Sequence, residues 1–172
     1  FADLDILVIA FEIDNRLLST LSRLQQKYPN LQIINADFNK INWRQHLPSN
    51  CIYKIVANIP YHVTGLIFRN IFQVGQTLPQ CAVLMIQYEV AKKIVPDEHN
   101  LSILSNLITS YGQPKIVCRV SKNSFRPIPQ VDSAILAIDN IQVPDFTDFE
   151  DYFRLVKIGF SSRRKTILNN LS

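Results

Sequence analysis

The stretch Ile52-Tyr53-Lys54-Ile55-Val56-Ala57-Asn58-Ile59-Pro60-Tyr61 decides the fold. Its apolar first part predicts a buried strand over residues 52–57, and the next four residues predict a turn at the strand's carboxyl end. Beyond Pro60, the stripe Leu66, Ile67, Phe68, Ile71 and Phe72, closed by Gly75 and Pro79, predicts a helix. The turn also carries a chemical possibility. The Asn58 side-chain oxygen and a main-chain carbonyl freed by the geometry around Pro60 can both accept from one NH2 group, while Tyr61 covers the ring that bears it. Two acceptors on one amine leave its lone pair available for attack. The same residues also suit a plain strand-to-helix turn, with Asn58 as cap and Pro60 opening the helix.

Upstream, Ile6 to Phe11 predicts a strand covered on both faces, and Leu17, Leu18, Leu21, Leu24 and Tyr28 predict a helix ended by Pro29 and Asn30. Leu31 to Ala36 predicts a second strand. Strand, helix, strand, loop, strand is the grammar of a parallel α/β sheet. Downstream, Cys81 to Ile86 predicts another central strand, running into a short helix through Ile94. Leu101, Leu104 and Ile108 mark a further helix. Ile116 to Val120 and Val131 to Ile138 predict two strands joined by Phe125-Arg126-Pro127-Ile128-Pro129, an antiparallel pair at the sheet edge. Phe149, Phe153, Val156 and Phe160 predict a final helix.

A carboxylate follows each of the first two strands, where ligands of parallel α/β proteins bind. Glu12 is placed to accept ribose hydroxyls, and Asp14 suits either ligand contact or a helix cap. Asp37 suits either the exocyclic amine of a purine or an Asx-turn, in which Asn39 could also take part. Glu12, Asp37 and Asn58 in chain order predict a nucleoside cofactor across adjacent strand ends, with the reacting substrate at the last. No glycine precedes Gly65, although such a site ordinarily has a glycine-rich turn after its first strand. Either the site is of another kind, or that strand and turn precede Phe1.

Composition sets the outer limits. A chain of 172 residues with 47% hydrophobic content fits one globular domain, and 4 glycines and 9 prolines exclude collagen-like or disordered classes. Cys51, Cys81 and Cys118 form no CxxC pair and predict small core or near-core residues in a reducing compartment, without a metal cluster. No apolar run approaches membrane-spanning length. A formal charge of +4 permits a polyanionic partner. Arg163, Arg164 and Lys165 form the densest basic run, which suits either phosphate contact or a solvated face.

These motifs in this order resemble the ribosomal RNA adenine-N6 dimethyltransferase family, in particular its small-subunit members. Asn58-Ile59-Pro60-Tyr61 matches the catalytic motif, Ala10-Phe11-Glu12-Ile13-Asp14 the ribose-binding strand end and Ala36-Asp37 the adenine-contacting one. Gln87-Tyr88-Glu89-Val90-Ala91, Phe125-Arg126-Pro127-Ile128-Pro129-Gln130-Val131-Asp132-Ser133-Ala134 and Phe160-Ser161-Ser162-Arg163-Arg164-Lys165-Thr166 match later segments. The resemblance implies a Rossmann-like class I methyltransferase fold, mostly parallel with an antiparallel edge. Residues 1–160 would form a partial catalytic domain, and 161–172 a basic turn towards a C-terminal helical domain. The family's first strand and glycine-rich loop, and that helical domain, would lie beyond the two ends, leaving the isolated piece inactive.

The resemblance further implies S-adenosylmethionine as cofactor, held by Glu12, Ile13, Asp37, Phe38 and Asn58. Asn58, Pro60 and Tyr61 would be catalytic, with the Asn58 side chain and the Pro60 carbonyl accepting both N–H bonds of the adenine amine. Phe125, Arg126, Arg163, Arg164 and Lys165 would bind substrate, although Phe125 equally suits a core anchor for its loop. The implied partners are ribosomal RNA and the immature small ribosomal subunit, and the implied protein is cytoplasmic, monomeric at full length, and free of metal and membrane.

Overall fold

The computed structural model describes residues 6–72, 77–96, 101–144 and 149–160. The chain divides into two compact units, Phe1–Cys51 and Ile52–Ser172.

In the first unit, β1 (Val8–Glu12) pairs in parallel with β2 (Leu31–Asn35), bringing Glu12 opposite Asn35. The crossover is a 3-10 turn, Asn15–Leu17, and helix α1, Leu18–Lys27. Asn30 ties the return by donating from Nδ2 to the Ile6 carbonyl at 2.8 Å. The expected covering of the first strand on both faces is not found: all five β1 residues are half-buried, and Ile6 and Leu7 are exposed. Nor does the leucine stripe of α1 reach a core, since Leu17 and Leu24 are exposed and no α1 residue is buried. Trp43 is the one buried side chain described in this unit.

The second unit holds a four-stranded sheet in the order β3-β4-β6-β5, with β3 at Lys54–Asn58, β4 at Cys81–Gln87, β5 at Gln113–Val120 and β6 at Ser133–Asp139. Strands β3 and β4 are parallel and linked by α2 (Thr64–Ile71), because parallel neighbours need a crossover. β6 runs antiparallel to both β4 and β5, so the expected antiparallel pair is present, with β6 inside and β5 outermost. Helices α3 (Tyr88–Ile94), α4 (Ile103–Tyr111) and α5 (Phe149–Gly159) complete the unit. Leu101, expected on the α4 stripe, precedes the helix and is exposed, because Ser102 and Ser105 form a reciprocal capping box that starts the helix after it.

Alternation along β4 sends Ala82, Leu84 and Ile86 into a core with Phe68, Ile71, Phe72, Ile94, Ile108, Leu136 and Ile138, all at most 2% exposed. Phe72 stacks on Tyr111 with ring centroids 4.9 Å apart. Burial pushes the Tyr111 phenol up to about 12. Gly112 leaves α4 where backbone approaches closely: a Cβ there would lie 2.8 Å from the Asp139 carbonyl oxygen. Cysteine placement departs from expectation at Cys118, which is exposed on edge strand β5 beside a register shift, while Cys51 and Cys81 are half-buried. Among the described residues no helix is long and apolar enough to cross a membrane, and no group of three or more His, Cys, Asp or Glu could hold a metal.

Candidate active site

At the carboxyl end of β3, Asn58 is the last strand residue, paired with Met85 of β4. Its side chain is exposed and takes no hydrogen-bond partner among the described residues. It caps no helix: the following 3-10 turn, Tyr61–Val63, and α2 both begin without a side-chain cap. The polar head is therefore not spent on the turn.

Ile59 is 1% exposed, and its N–H donates to the Met85 carbonyl at 3.0 Å, which fixes the turn against β4. Here one expectation is corrected. The Pro60 carbonyl is not freed, because the 3-10 turn brings the Val63 N–H to it at 3.1 Å. The carbonyl that accepts no hydrogen bond among the described residues is that of Ile59, followed by a proline nitrogen with no N–H to offer. Asn58 and Ile59 thus present two unpaired acceptors from consecutive residues.

Tyr61 is half-buried and held at both ends. The Thr64 hydroxyl donates to its carbonyl at 3.1 Å, and its phenol shares a 2.8 Å hydrogen bond with the Ser133 hydroxyl. Ser133 opens β6 between the ends of its neighbours, opposite Gln87 of β4 and Val120 of β5.

The loop from β5 to β6 is braced by the preceding residue. Asp132 accepts the Lys122 N–H at 2.9 Å and Arg119 Nε at 2.8 Å, and its carbonyl accepts the Tyr88 N–H at 3.0 Å. The Lys122 N–H, and then the Arg119 guanidinium, hold the Asp132 carboxyl below its ordinary value. Arg119 also lies 4.7 Å from the centre of the Tyr88 ring. Within this loop Phe125 is half-buried and stands outside the packed core, and the Arg126–Pro127 peptide is cis. Arg126 is exposed but folds back, donating from Nη1 to the Asn123 and Phe125 carbonyls at 3.1 and 2.9 Å. Arg163, Arg164 and Lys165 lie outside the described residues.

In the other unit, Glu12 is half-buried, and its Oε1 accepts the Asp14 N–H at 2.7 Å, leaving Oε2 without a partner among the described residues. Ile13 is 63% exposed. Asp14 plays the capping part: it accepts the Arg16 N–H at 2.9 Å and pairs with its guanidinium, which brings its carboxyl down to about 2. Asp37 forms the Asx-turn, with Oδ1 accepting the Asn39 N–H at 2.9 Å. Phe38 stacks on Trp43 at 5.0 Å, and Asn39 Oδ1 is buried without a partner among the described residues. Because Glu12 pairs with Asn35, Glu12 and Asp37 leave β1 and β2 at the same end of the pair.

Ile59, Asp132 and Ser133 lie in segments that the sequence matches to the family but carry no role of their own there, and Thr64 lies in none. The one available signal was two polar residues, Asp132 and Ser133, just before the apolar run Ala134–Ile138.

Parallel crossovers, acidic strand ends and the appended antiparallel pair define a Rossmann-like class I methyltransferase fold. Two solved structures share it: a dimethyladenosine transferase from Plasmodium falciparum (TM-score 0.79, 31% identity, covering 96% of this chain and 59% of that one) and the 23S rRNA methyltransferase ErmE (0.78, 27%, 99% and 68%). The chain belongs to the ribosomal RNA adenine dimethylase family, whose model matches residues 6–172. Among curated relatives, the ribosomal RNA small subunit methyltransferase A of Dehalococcoides mccartyi is 38% identical over 170 residues, covering 96% of this chain and 57% of that protein. The protein of the same name from Mycoplasmopsis pulmonis is 42% identical over 166 residues, covering 95% and 64%. The chain thus spans about three fifths of the relatives it matches.

Proposed function

We propose that the full-length protein carrying this chain transfers methyl groups from S-adenosylmethionine to N6 of two adenines in small-subunit ribosomal RNA, on an immature small subunit. The observation that carries this reading is the end of β3, where the Asn58 amide oxygen and the Ile59 carbonyl stand unpaired among the described residues in the turn that holds Tyr61. Accepting both N6–H bonds draws the amine away from conjugation with the purine ring and aims its lone pair. The gain is one of orientation and electrostatics, and no protein base or metal is required. In this reading Pro60 fixes the turn, and Tyr61 and Phe125 cover the purine faces.

The donor set at the ends of β1 and β2 fits an adenosyl group. The free Oε2 of Glu12 suits ribose hydroxyls, exposed Ile13 and the Phe38 ring suit a base, and Asp37 suits its amine. When bound, S-adenosylmethionine supplies an electrophilic methyl group. An adenine must leave its stack to reach a strand-end turn, which favours loops and helix ends in RNA. Arg126 closes its own turn through Nη1 and turns the rest of its guanidinium to phosphates, joined by Arg163, Arg164 and Lys165. This reading places the protein in the cytoplasm as a monomer.

Likeness to ErmE supports a second reading, methylation of large-subunit RNA. One assay separates them: the full-length protein is incubated with labelled S-adenosylmethionine and either immature small subunits or large-subunit RNA, and the product is mapped. Label on N6 of two small-subunit adenines is expected. Label confined to large-subunit RNA contradicts the proposal.

A further inference from the structure

We propose that Ser133 is a positioning residue whose hydroxyl tethers Tyr61 and thereby sets the aromatic wall against which the target purine is held; this rests on the methyl-transfer reading above. The first ground is the chemistry of the site. Ser133 is 1% exposed between β4 and β5, beside Ala134 at 0%, and its side chain has one partner among the described residues, the Tyr61 phenol at 2.8 Å. A buried hydroxyl carries a desolvation penalty that alanine at the same place would avoid. The fold alone therefore gives no reason for serine, and Tyr61 does.

The second ground is the geometry of Tyr61. Its backbone is fixed by the Thr64 hydroxyl on its carbonyl, but a half-buried ring still turns about two side-chain torsions. The hydrogen bond to Ser133 removes that freedom. It is anchored to a rigid place, since Ser133 lies in strand register on both sides and Asp132 before it is bonded to Lys122, Arg119 and Tyr88. The same two residues, Asp132 and Ser133, thus hold the Phe125 loop and the Tyr61 ring. A ring set in advance spares the substrate the entropy of ordering it.

The test is a double-mutant cycle in the full-length protein: Tyr61→Phe, Ser133→Ala and the pair, with kcat, RNA KM and cofactor Kd measured for each. Loss of a single oriented hydrogen bond predicts a fall in kcat of roughly threefold to tenfold for each single variant, with cofactor Kd unchanged. The double variant should fall no further than the worse single, because both remove one interaction. RNA carrying 2-aminopurine at the target position should show weaker fluorescence quenching with either variant, as the base stacks less well. Additive losses, or Ser133→Ala at the wild-type rate, would overturn the tether while leaving the methyl-transfer reading intact. A wild-type protein that transfers no methyl group would overturn both. If Ser133→Ala does not fold, Tyr61→Phe decides alone, and a wild-type rate for it refutes the proposal.

Discussion

Residues 1–51 and 52–172 both use a strand, a helix and a parallel strand, yet they are stabilised in different ways. In the second unit one sheet face and its helices enclose a core built on Phe68, Phe72, Leu84, Ile86 and Leu136. In the first, Trp43 alone is buried among the described residues, and local bonds such as the Glu12, Asp14 and Asp37 turns shape the strand ends. The difference matches the tasks proposed for each. Carboxylates that hold hydroxyls tolerate some play, whereas acceptors that aim a lone pair need a rigid base, and Asn58 and Ile59 stand on the packed unit.

The comparison breaks hardest at Phe68. Phe68→Ala, a fully buried ring, should lower the unfolding free energy by about 3 to 5 kcal/mol, against about 1 kcal/mol for Leu21→Ala on the half-buried face of α1. Urea titration of the full-length protein measures both, and equal losses would erase the contrast. Gly112→Ala comes next. Its Cβ would press on the Asp139 carbonyl and on Ile138, at an expected cost of about 1 to 3 kcal/mol by the same titration. A neutral result would show that the α4–β5 junction yields.

The smallest effect belongs to the first unit. The Asp14 carboxyl is depressed in the folded chain, so its contribution is complete above the ordinary carboxylate value near about 4 and is lost as pH falls through about 2. Stability followed from pH 5 to about 2 should therefore decline with a component that Asp14→Asn removes. An identical slope in that variant would contradict the assignment. Asp14 is half-buried but its partner Arg16 is exposed, so the component should also shrink in salt.

The element order was legible in the sequence because apolar runs, Pro and Gly punctuate it strongly, and Asn58 at a strand end could be read from its position after Ile52–Ala57. Which carbonyl of the turn remains free could not. That depends on a 3-10 turn bringing the Val63 N–H to Pro60, a backbone bond that side-chain identity does not announce. The leucines of α1 misled for a related reason: periodicity reports one apolar face, not what covers it. Cys118 follows a register shift on an edge strand, where alternation no longer predicts burial. Ser133 was hidden by distance, its partner lying 72 residues earlier in the chain.

The central claim is that the β3 exit turn grips the edge amine of a purine. The measurement that tests it most directly is methyl transfer by the full-length Asn58→Ala variant, paired with calorimetry of S-adenosylmethionine binding. Loss of one acceptor predicts a rate lower by at least roughly tenfold to a hundredfold with cofactor affinity nearly intact. Turnover at the wild-type level would contradict the account.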